Sequence, residues 1–241
     1  DVGTSRGVGQ PQHLHPMQAG PQRFEHYQAA ANWARAALGG EPAARAHWKR
    51  RRHLWRSEWA GGGGIEKVEA LRLLSELESV SGRFQFIVSE SNITAIVDYA
   101  HTPDALENVL KTIEDIRTKN EQLITVVGCG GDRDKTKRPI MANIASSMSD
   151  KAIFTSDNPR TENPETIIEE MEKGVEPQNF KKTVSILDRK QAIKTACQLA
   201  NPNDIILIAG KGHETYQEIN GVRHDFDDLK IVTELLQQLN K

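Results

Sequence analysis

The sequence has few cysteines, few aromatic residues and no long hydrophobic run. Of its 241 residues only Cys129 and Cys197 are cysteines, and they lie far apart without metal-ligand spacing. This count excludes a disulfide framework and a cysteine-based zinc site, and it is typical of a reducing compartment. No stretch approaches the ~20 apolar residues of a membrane helix, and the N-terminus lacks the pattern of a signal peptide. We therefore expect a cytoplasmic protein without a membrane partner or a bound metal.

Charge is distributed unevenly along the chain, although the net charge is only −2. Residues 1–64 carry nine Lys and Arg against four Asp and Glu, a balance of +5, which leaves −7 for the remainder. The acidic main body argues against a nucleic-acid partner. All four tryptophans lie in residues 1–64, and four glycines at 61–64 separate this region as a flexible joint. We interpret residues 1–64 as a poorly ordered segment, with contact to phosphates or anionic lipid through KRRRHLWR as the alternative.

From residue 65 onward, short apolar runs alternate with amphipathic helical patterns. Strands are predicted at RFQFIVSE, ITAIVDYA, LITVVGCG, KAIFTSD, VSILD and DIILIAGKGHE, and helices at 65–80, 103–119, 137–149, 164–174, 189–200 and 226–239. This alternation predicts an α/β fold, with a Rossmann-like, mostly parallel sheet flanked by helices. Such sheets bind ligands beyond the carboxyl ends of their strands.

Four polar loops follow predicted strands at those ends: DYAHTPD, GCGGDRDKTKRP, DNPRTENP and GKGHE. The third loop presents the carboxylate of Asp157, the amide of Asn158 and the guanidinium of Arg160 from one turn that prolines stiffen. This set suits a small ligand that carries both ammonium and carboxylate groups. In the fourth loop, Gly210 lets a ligand approach the backbone closely, and Glu214 can accept an ammonium group.

The second loop has features of two nucleotide-binding motifs but departs from both. Its Gly-x-Gly begins a dinucleotide fingerprint in which Arg133 replaces the third glycine. A Walker A loop would need glycine where the chain has Asp134, and no other stretch fits GxxxxGK[ST]. Arg133 can instead grip a carboxylate through two hydrogen bonds. A simple tight turn and a dinucleotide-dependent Rossmann enzyme stay as alternatives, the latter disfavoured by Arg133.

Asp98 ends a predicted strand, and its position favours a binding role. A carboxylate at such a strand end can bind ribose hydroxyls, as acids do in other α/β nucleotide sites. The alternative role is to cap the helix that begins at Pro103, but Thr102 is better placed for that. We therefore predict that Asp98 contacts a ligand.

Five motifs in order resemble the C-terminal domain of the Mur ligase family, in the MurE form. They are SGRFQ, DYAHTPDAL, GCGGDRDKTKRP, DNPRTENP and AGKGHETYQ. The resemblance covers about residues 65–241, and residues 1–64 show none. It implies an ATP- and Mg²⁺-dependent bacterial ligase of peptidoglycan synthesis. ATP phosphorylates the glutamate carboxylate of UDP-N-acetylmuramoyl-L-alanyl-D-glutamate, and the amine of a diamino acid attacks the acyl phosphate to form an amide.

The resemblance also implies roles for single residues. The amino-acid-binding set that it predicts is Arg133, Asp157, Asn158, Arg160, Gly210 and Glu214. Arg83 and Asp98 match the ribose contacts of the family, and His101 lies where this domain meets the ATP phosphates. The DNPR form is similar to that of enzymes that choose meso-2,6-diaminopimelate, since lysine-adding relatives usually lack the arginine. Arg160 can pair with the second carboxylate of diaminopimelate, which lysine lacks.

The rest of the family pattern has no counterpart in this sequence. A full Mur ligase has a first domain that grips the UDP-sugar peptide and a central domain with a P-loop and Mg²⁺ ligands. We expect the chain alone to lack ligase activity and not to hold ATP or Mg²⁺ by itself. We predict a monomer that at most binds meso-2,6-diaminopimelate weakly, and a non-catalytic diaminopimelate-binding module is the alternative.

Overall fold

The structure, a computed structural model, describes residues 84–241. The basic segment 1–64, the predicted helix 65–80 and Arg83 lie outside the described residues. The elements in chain order are β1 (Gln85–Val88), β2 (Thr94–Asp98), α1 (Pro103–Ile116), β3 (Leu123–Val127), α2 (Lys137–Met148), β4 (Lys151–Phe154), α3 (Pro164–Glu172), a 3-10 helix (Pro177–Lys182), β5 (Thr183–Ser185), α4 (Arg189–Leu199), β6 (Ile205–Ala209), β7 (Tyr216–Ile219), β8 (Val222–Asp225) and α5 (Asp228–Gln238).

Six strands form one sheet in the order β1-β2-β6-β3-β4-β5. β1 pairs antiparallel with β2 around the predicted turn at 89–92, and the other four pairings are parallel. β7 and β8 form a separate antiparallel hairpin. The predicted α/β fold with a mostly parallel sheet is therefore confirmed.

The central strands are apolar on both sides because helices cover both faces of the sheet. In β3, Leu123 and Val127 join a core with α1, α2 and α3. The alternate residues Ile124 and Val126 join the opposite core with α4 and α5. Successive side chains of a strand point to opposite faces, so one short strand contributes to both cores. The strand ends are then the places where polar loop residues gather.

Local capping signals decide where the helices next to the site begin. Thr102 precedes α1, and its Oγ1 accepts a hydrogen bond from Ala105 N at 3.3 Å. The α1 cap is thus Thr102, as predicted, and Asp98 is not needed for that purpose. The predicted strand 151–157 ends sooner, at Phe154, because its neighbour β3 ends at Val127 and turns into the glycine loop. Residues 155–157 belong to the loop.

The two cysteines are buried and unpaired, on opposite sides of the sheet. Burial raises the pKa of both thiols, Cys129 and Cys197, to about 12, so neither forms a reactive thiolate near neutral pH. Residues 84–241 contain neither a helix long and apolar enough to cross a membrane nor a group of three His, Cys, Asp or Glu side chains placed to hold a metal ion.

Candidate functional site

The four polar loops begin at one edge of the sheet because their strands end in register. Asp98 of β2 and Val127 of β3 both pair with Ala209 of β6, and Val127 also pairs with Phe154 of β4. The carboxyl ends of these four parallel strands therefore meet side by side. The loops that follow them form the candidate site.

A fully buried ammonium group lies at the centre of this edge. Lys211 has 0% exposure, and its Nζ donates to Asp157 Oδ1 at 3.1 Å and to Asn158 Oδ1 at 2.9 Å. The same Nζ lies 3.5 Å from Glu214 Oε2, which also accepts from Asn158 Nδ2 at 2.8 Å. Asp157, Asn158 and Glu214, which were predicted to bind a ligand, thus form one network with Lys211, for which no role was predicted. Its position directly after Gly210, where a buried strand ends, was the available signal.

The β7–β8 hairpin, which was not predicted, holds the DNPR loop from a second side. Gln217 Nε2 donates to the Asp157 carbonyl at 2.6 Å. Glu218 N donates to Asn158 Oδ1 at 2.9 Å. The sequence did carry a signal for this hairpin, because Asn-Gly at 220–221 between two short runs is typical of a two-residue turn. Both turn residues have positive φ, 50° and 76°.

Arg160 is held at both its backbone and its side chain. Its φ of 53° is in the left-handed region, which is costly for a residue other than glycine unless the surroundings support it. The hairpin supplies that support, because Arg160 N donates to Glu218 O at 3.0 Å and Asn220 N donates to Arg160 O at 2.7 Å. The side-chain Nη1 donates to Gly131 O at 2.8 Å. The guanidinium is therefore fixed between the third loop and the second.

Glycines let the second loop pack directly on the third. A Cβ at Gly131 would lie 1.9 Å from Pro159 O, and one at Gly130 would lie 2.9 Å from Arg160 Nη1. The backbone contact at Gly131 permits only glycine, whereas a side chain at Gly130 would have to displace the Arg160 guanidinium. In the fourth loop, Gly210 adopts a φ of 118°, where a side chain would be strained, and the Cβ position lies 3.6 Å from Asp157 Oδ2. Gly210 thus belongs to the site as backbone rather than as a polar group.

Arg133 is exposed and makes no described hydrogen bond to the Lys211 network. Within residues 84–241, the hydrogen bond described for its side chain runs from Nη1 to Asp132 O at 3.3 Å. The carboxylate of Asp132 accepts in turn from Thr161 Oγ1 at 2.8 Å, which ties this turn to the DNPR loop. The guanidinium of Arg133 keeps most of its five donors available for a ligand.

Two other cations of the second loop, Lys135 and Arg138, bind carboxylates of the protein. Arg138 is fully buried and donates to Glu162 at 2.9 and 3.0 Å and to Glu170 at 2.6 Å. Lys135 Nζ also contacts Glu162, at 2.9 Å. Hydrogen bonds from Arg138, and then from Lys135, lower the pKa of Glu162 to about 2. These ion pairs therefore hold the second loop in its conformation.

The loop after β2 forms a different side of the site. Asp98 is buried, and its Oδ2 accepts from Phe84 N at 2.8 Å. His101 is exposed, with Nδ1 2.9 Å from Tyr99 O. The Tyr99 ring lies 4.5 Å from the His101 ring and 5.3 Å from the His213 ring. Burial, and then the charges of the Glu214 and Asp157 carboxylates, raise the pKa of Tyr99, so this tyrosine lies between the two sides.

Residues 82–212, more than half of the chain, match the family model described as "Mur ligase, glutamate ligase domain". The chain belongs to the Mur ligase family. The matched residues include the loops after β2, β3 and β4 and the glycine turn after β6. They include the Gly-x-Gly segment on which the dinucleotide alternative rested. Mur ligases form amide bonds at the expense of ATP, as the resemblance implied.

The relatives of this Mur ligase chain carry a more specific name. The UDP-N-acetylmuramoyl-L-alanyl-D-glutamate--2,6-diaminopimelate ligase of Cytophaga hutchinsonii is 58% identical over 178 residues, 74% of this chain and 36% of the relative. The ligase of that name from Bacteroides thetaiotaomicron is 55% identical over 172 residues, 71% of this chain and 36% of the relative. A solved structure of a ligase of that name aligns with a TM-score of 0.63 and 44% identity, over 78% of this chain and 37% of that one. The chain thus spans little more than a third of these relatives.

Proposed function

We propose that this chain supplies the C-terminal, amino-acid-binding domain of an ATP-dependent ligase that adds meso-2,6-diaminopimelate to UDP-N-acetylmuramoyl-L-alanyl-D-glutamate. The observation that carries the proposal is the network that joins Asp157, Asn158 and Glu214 around Lys211, beside the fixed guanidinium of Arg160. The names of the relatives support the substrate class. The proposed domain extends from about residue 65 to residue 241.

The proposed ligand matches the charges of the pocket. Glu214, with a side chain 20% exposed, accepts the ammonium group at the bound end of diaminopimelate. Arg160 and Arg133 pair with its carboxylates, because a guanidinium can donate two parallel hydrogen bonds to one carboxylate. Lysine has no second carboxylate, and Arg160 would then be left without its partner. A site built to pair with a polar group rejects an analogue that lacks it.

The second part of the proposal concerns the nucleotide side, the residues that contact ATP. Arg83 and Asp98 contact the ribose of ATP, and His101 faces its phosphates. The reaction consumes ATP at the glutamate carboxylate of the UDP-linked dipeptide, and the diaminopimelate amine then displaces phosphate to leave an amide. ATP, Mg²⁺ and the UDP-linked substrate are engaged together with domains whose motifs this sequence lacks. We place the reaction in the cytoplasm and the chain as a monomer with respect to its own copies.

A calorimetric titration tests the amino-acid site of the 241-residue chain. Saturable binding of meso-2,6-diaminopimelate is expected, with weaker binding of L-lysine. The Arg160→Ala variant removes charge-assisted hydrogen bonds of about 1.5–3 kcal/mol, so its affinity for diaminopimelate should fall by roughly 10- to 150-fold. It should also discriminate less between the two amino acids.

Arg117→Ala is the matched control for this titration. Arg117 pairs with Glu114 and Asp150 next to the amino end of β3, at the sheet edge opposite the site. Its replacement should leave the dissociation constant unchanged. An absence of binding at millimolar diaminopimelate, or equal affinity for lysine in the unaltered chain, would contradict the proposed site.

A further inference from the structure

Lys211 directs all of its hydrogen-bond donors to other residues of the protein. An ammonium group has three N–H donors, and Nζ has three acceptors: Asp157 Oδ1 at 3.1 Å, Asn158 Oδ1 at 2.9 Å and Glu214 Oε2 at 3.5 Å. The side chain has 0% exposure. Within residues 84–241, each donor of Lys211 thus has an acceptor, and its side chain offers no exposed surface to a ligand. Its effect on a ligand must pass through the three residues that it holds.

The amide of Asn158 is oriented by its neighbours. Its Oδ1 accepts from Lys211 Nζ and from Glu218 N, both at 2.9 Å, which uses both lone pairs. Its Nδ2 donates one hydrogen bond to Glu214 at 2.8 Å. The reversed amide would set N–H groups against two donors, so the network decides the orientation. Asn158 can then offer a ligand its second N–H, which suits a carboxylate rather than an ammonium group.

The ammonium group of Lys211 also offsets the negative charge of the carboxylates around it. Asp157 and Glu214 are two carboxylates with side chains only 9% and 20% exposed, and both reach the same Nζ. Two like charges that share a partly buried site repel each other. The ammonium group compensates one of the two negative charges. One net negative charge remains on these three side chains, which matches one ligand ammonium group.

We propose that Lys211 is the positioning residue of the amino-acid pocket. It is an internal counter-ion that sets the Asp157 carboxylate, the Asn158 amide and the Glu214 carboxylate in their binding geometry before a ligand arrives. In this arrangement Glu214 accepts the ligand ammonium group, and Asn158 donates to a ligand carboxylate. The identity of the ligand rests on the proposed function above, whereas the network itself does not.

Nuclear magnetic resonance of the unaltered chain tests the network without any substitution. The Lys211 side-chain ammonium should give a slowly exchanging signal, because it is buried and bonded to three acceptors. Lys111, whose side chain is 59% exposed and pairs with Glu107, is the internal reference and should exchange too fast to observe. Exchange of the Lys211 ammonium as fast as that of Lys111 would overturn the proposal.

A Lys211→Met variant tests the positioning itself, with Lys182→Met as its control. Lys182 Nζ donates to Ser149 O at 3.1 Å, at the opposite edge of the sheet. In Lys211→Met, the side-chain amide of Asn158 and the backbone amide of Glu218 should shift and exchange about tenfold faster or more. In Lys182→Met they should not change. Unchanged signals in Lys211→Met would overturn the proposal.

Titration of meso-2,6-diaminopimelate into the same variants separates positioning from mere structural support. Lys211→Met should weaken binding by about tenfold or more, as expected when a hydrogen bond to a charged group is lost, and Lys182→Met should not. A Lys211→Met chain with a lower melting temperature but unchanged affinity would show a structural role only and overturn the proposal. If the unaltered chain does not bind, the proposed ligand is wrong, and the resonance experiments still decide the role of Lys211.

Discussion

The two sides of the candidate site share one sheet edge but differ in how much of their geometry the domain sets by itself. On the proposed amino-acid side, Asp157, Asn158 and Lys211 are all buried, and Lys211 donates to the other two. On the proposed nucleotide side, Asp98 is also buried and accepts from Phe84 N, but His101 is exposed, and its ring contacts its own loop at Tyr99. The proposed amino-acid side is therefore organised without a ligand, and such preorganisation lowers the entropic cost of binding. On the proposed nucleotide side, the exposed ring of His101 lacks such a network within residues 84–241.

A buried ion pair lies beneath the fourth loop, at the end of β6, and breaking it should have the largest effect. Arg189 and Asp228 are both 0% exposed, and Nε and Nη2 donate to the carboxylate at 2.9 and 2.7 Å. Nη2 also donates to the Ala209 carbonyl at 3.1 Å, at the end of β6. Arg189→Met would leave a buried carboxylate without its cation. We expect the free energy of unfolding, measured in urea, to fall by roughly 3–5 kcal/mol.

Two further variants control for this prediction. Lys111→Met removes an exposed ion pair with Glu107 and should cost at most about 1 kcal/mol. The double variant Arg189→Met with Asp228→Leu should recover much of the lost stability, because an apolar pair can replace a buried ion pair. If Arg189→Met costs no more than Lys111→Met, the pair does not support the amino-acid side.

Acid should weaken the amino-acid side through Glu162. Hydrogen bonds from Arg138 and Lys135 lower the pKa of this carboxyl from 4.5 to about 2 in the folded chain. A lowered folded-state pKa stabilises the fold fully above the unfolded value, and the contribution is lost as pH falls from 4.5 towards 2. Unfolding in urea between pH 7 and pH 2.5 should therefore show a steeper loss of stability for the unaltered chain than for Glu162→Gln. Parallel pH profiles for the two proteins would count against this assignment.

The features predicted correctly from the sequence were those that local pattern determines. The strands were predicted from the short apolar runs and the helices from the amphipathic patterns between them. The cap of α1 was predicted from Thr102. Parallel strands end at a common edge, so the loops with Asp98 and Asp157 were expected to lie there together. The partner of two cations in GCGGDRDKTKRP was not predicted, because Lys135 and Arg138 bind Glu162 of the next loop across 27 and 24 residues.

The features that were missed depend on contacts between distant parts of the chain. Lys211 meets Asp157 and Asn158 across 54 and 53 residues, and no spacing rule connects such positions. All four residues of β8 are exposed. The β7–β8 hairpin therefore has no alternation of buried apolar and exposed polar residues by which its strands could be predicted. Its Asn-Gly turn was the local signal, but its contact with the DNPR loop was visible only in the fold.

The smallest effect is expected on the nucleotide side. His101→Ala removes an exposed ring, and exposed substitutions usually change free energies by less than about 0.5 kcal/mol. The dissociation constant for meso-2,6-diaminopimelate, measured by calorimetry without ATP, should therefore change by no more than about twofold. Tyr99 is the described residue through which a larger effect could pass, because its ring lies 4.5 Å from His101 and 5.3 Å from His213, next to Glu214. A change of about tenfold would show that the two sides are coupled, and Tyr99→Leu should then abolish the coupling.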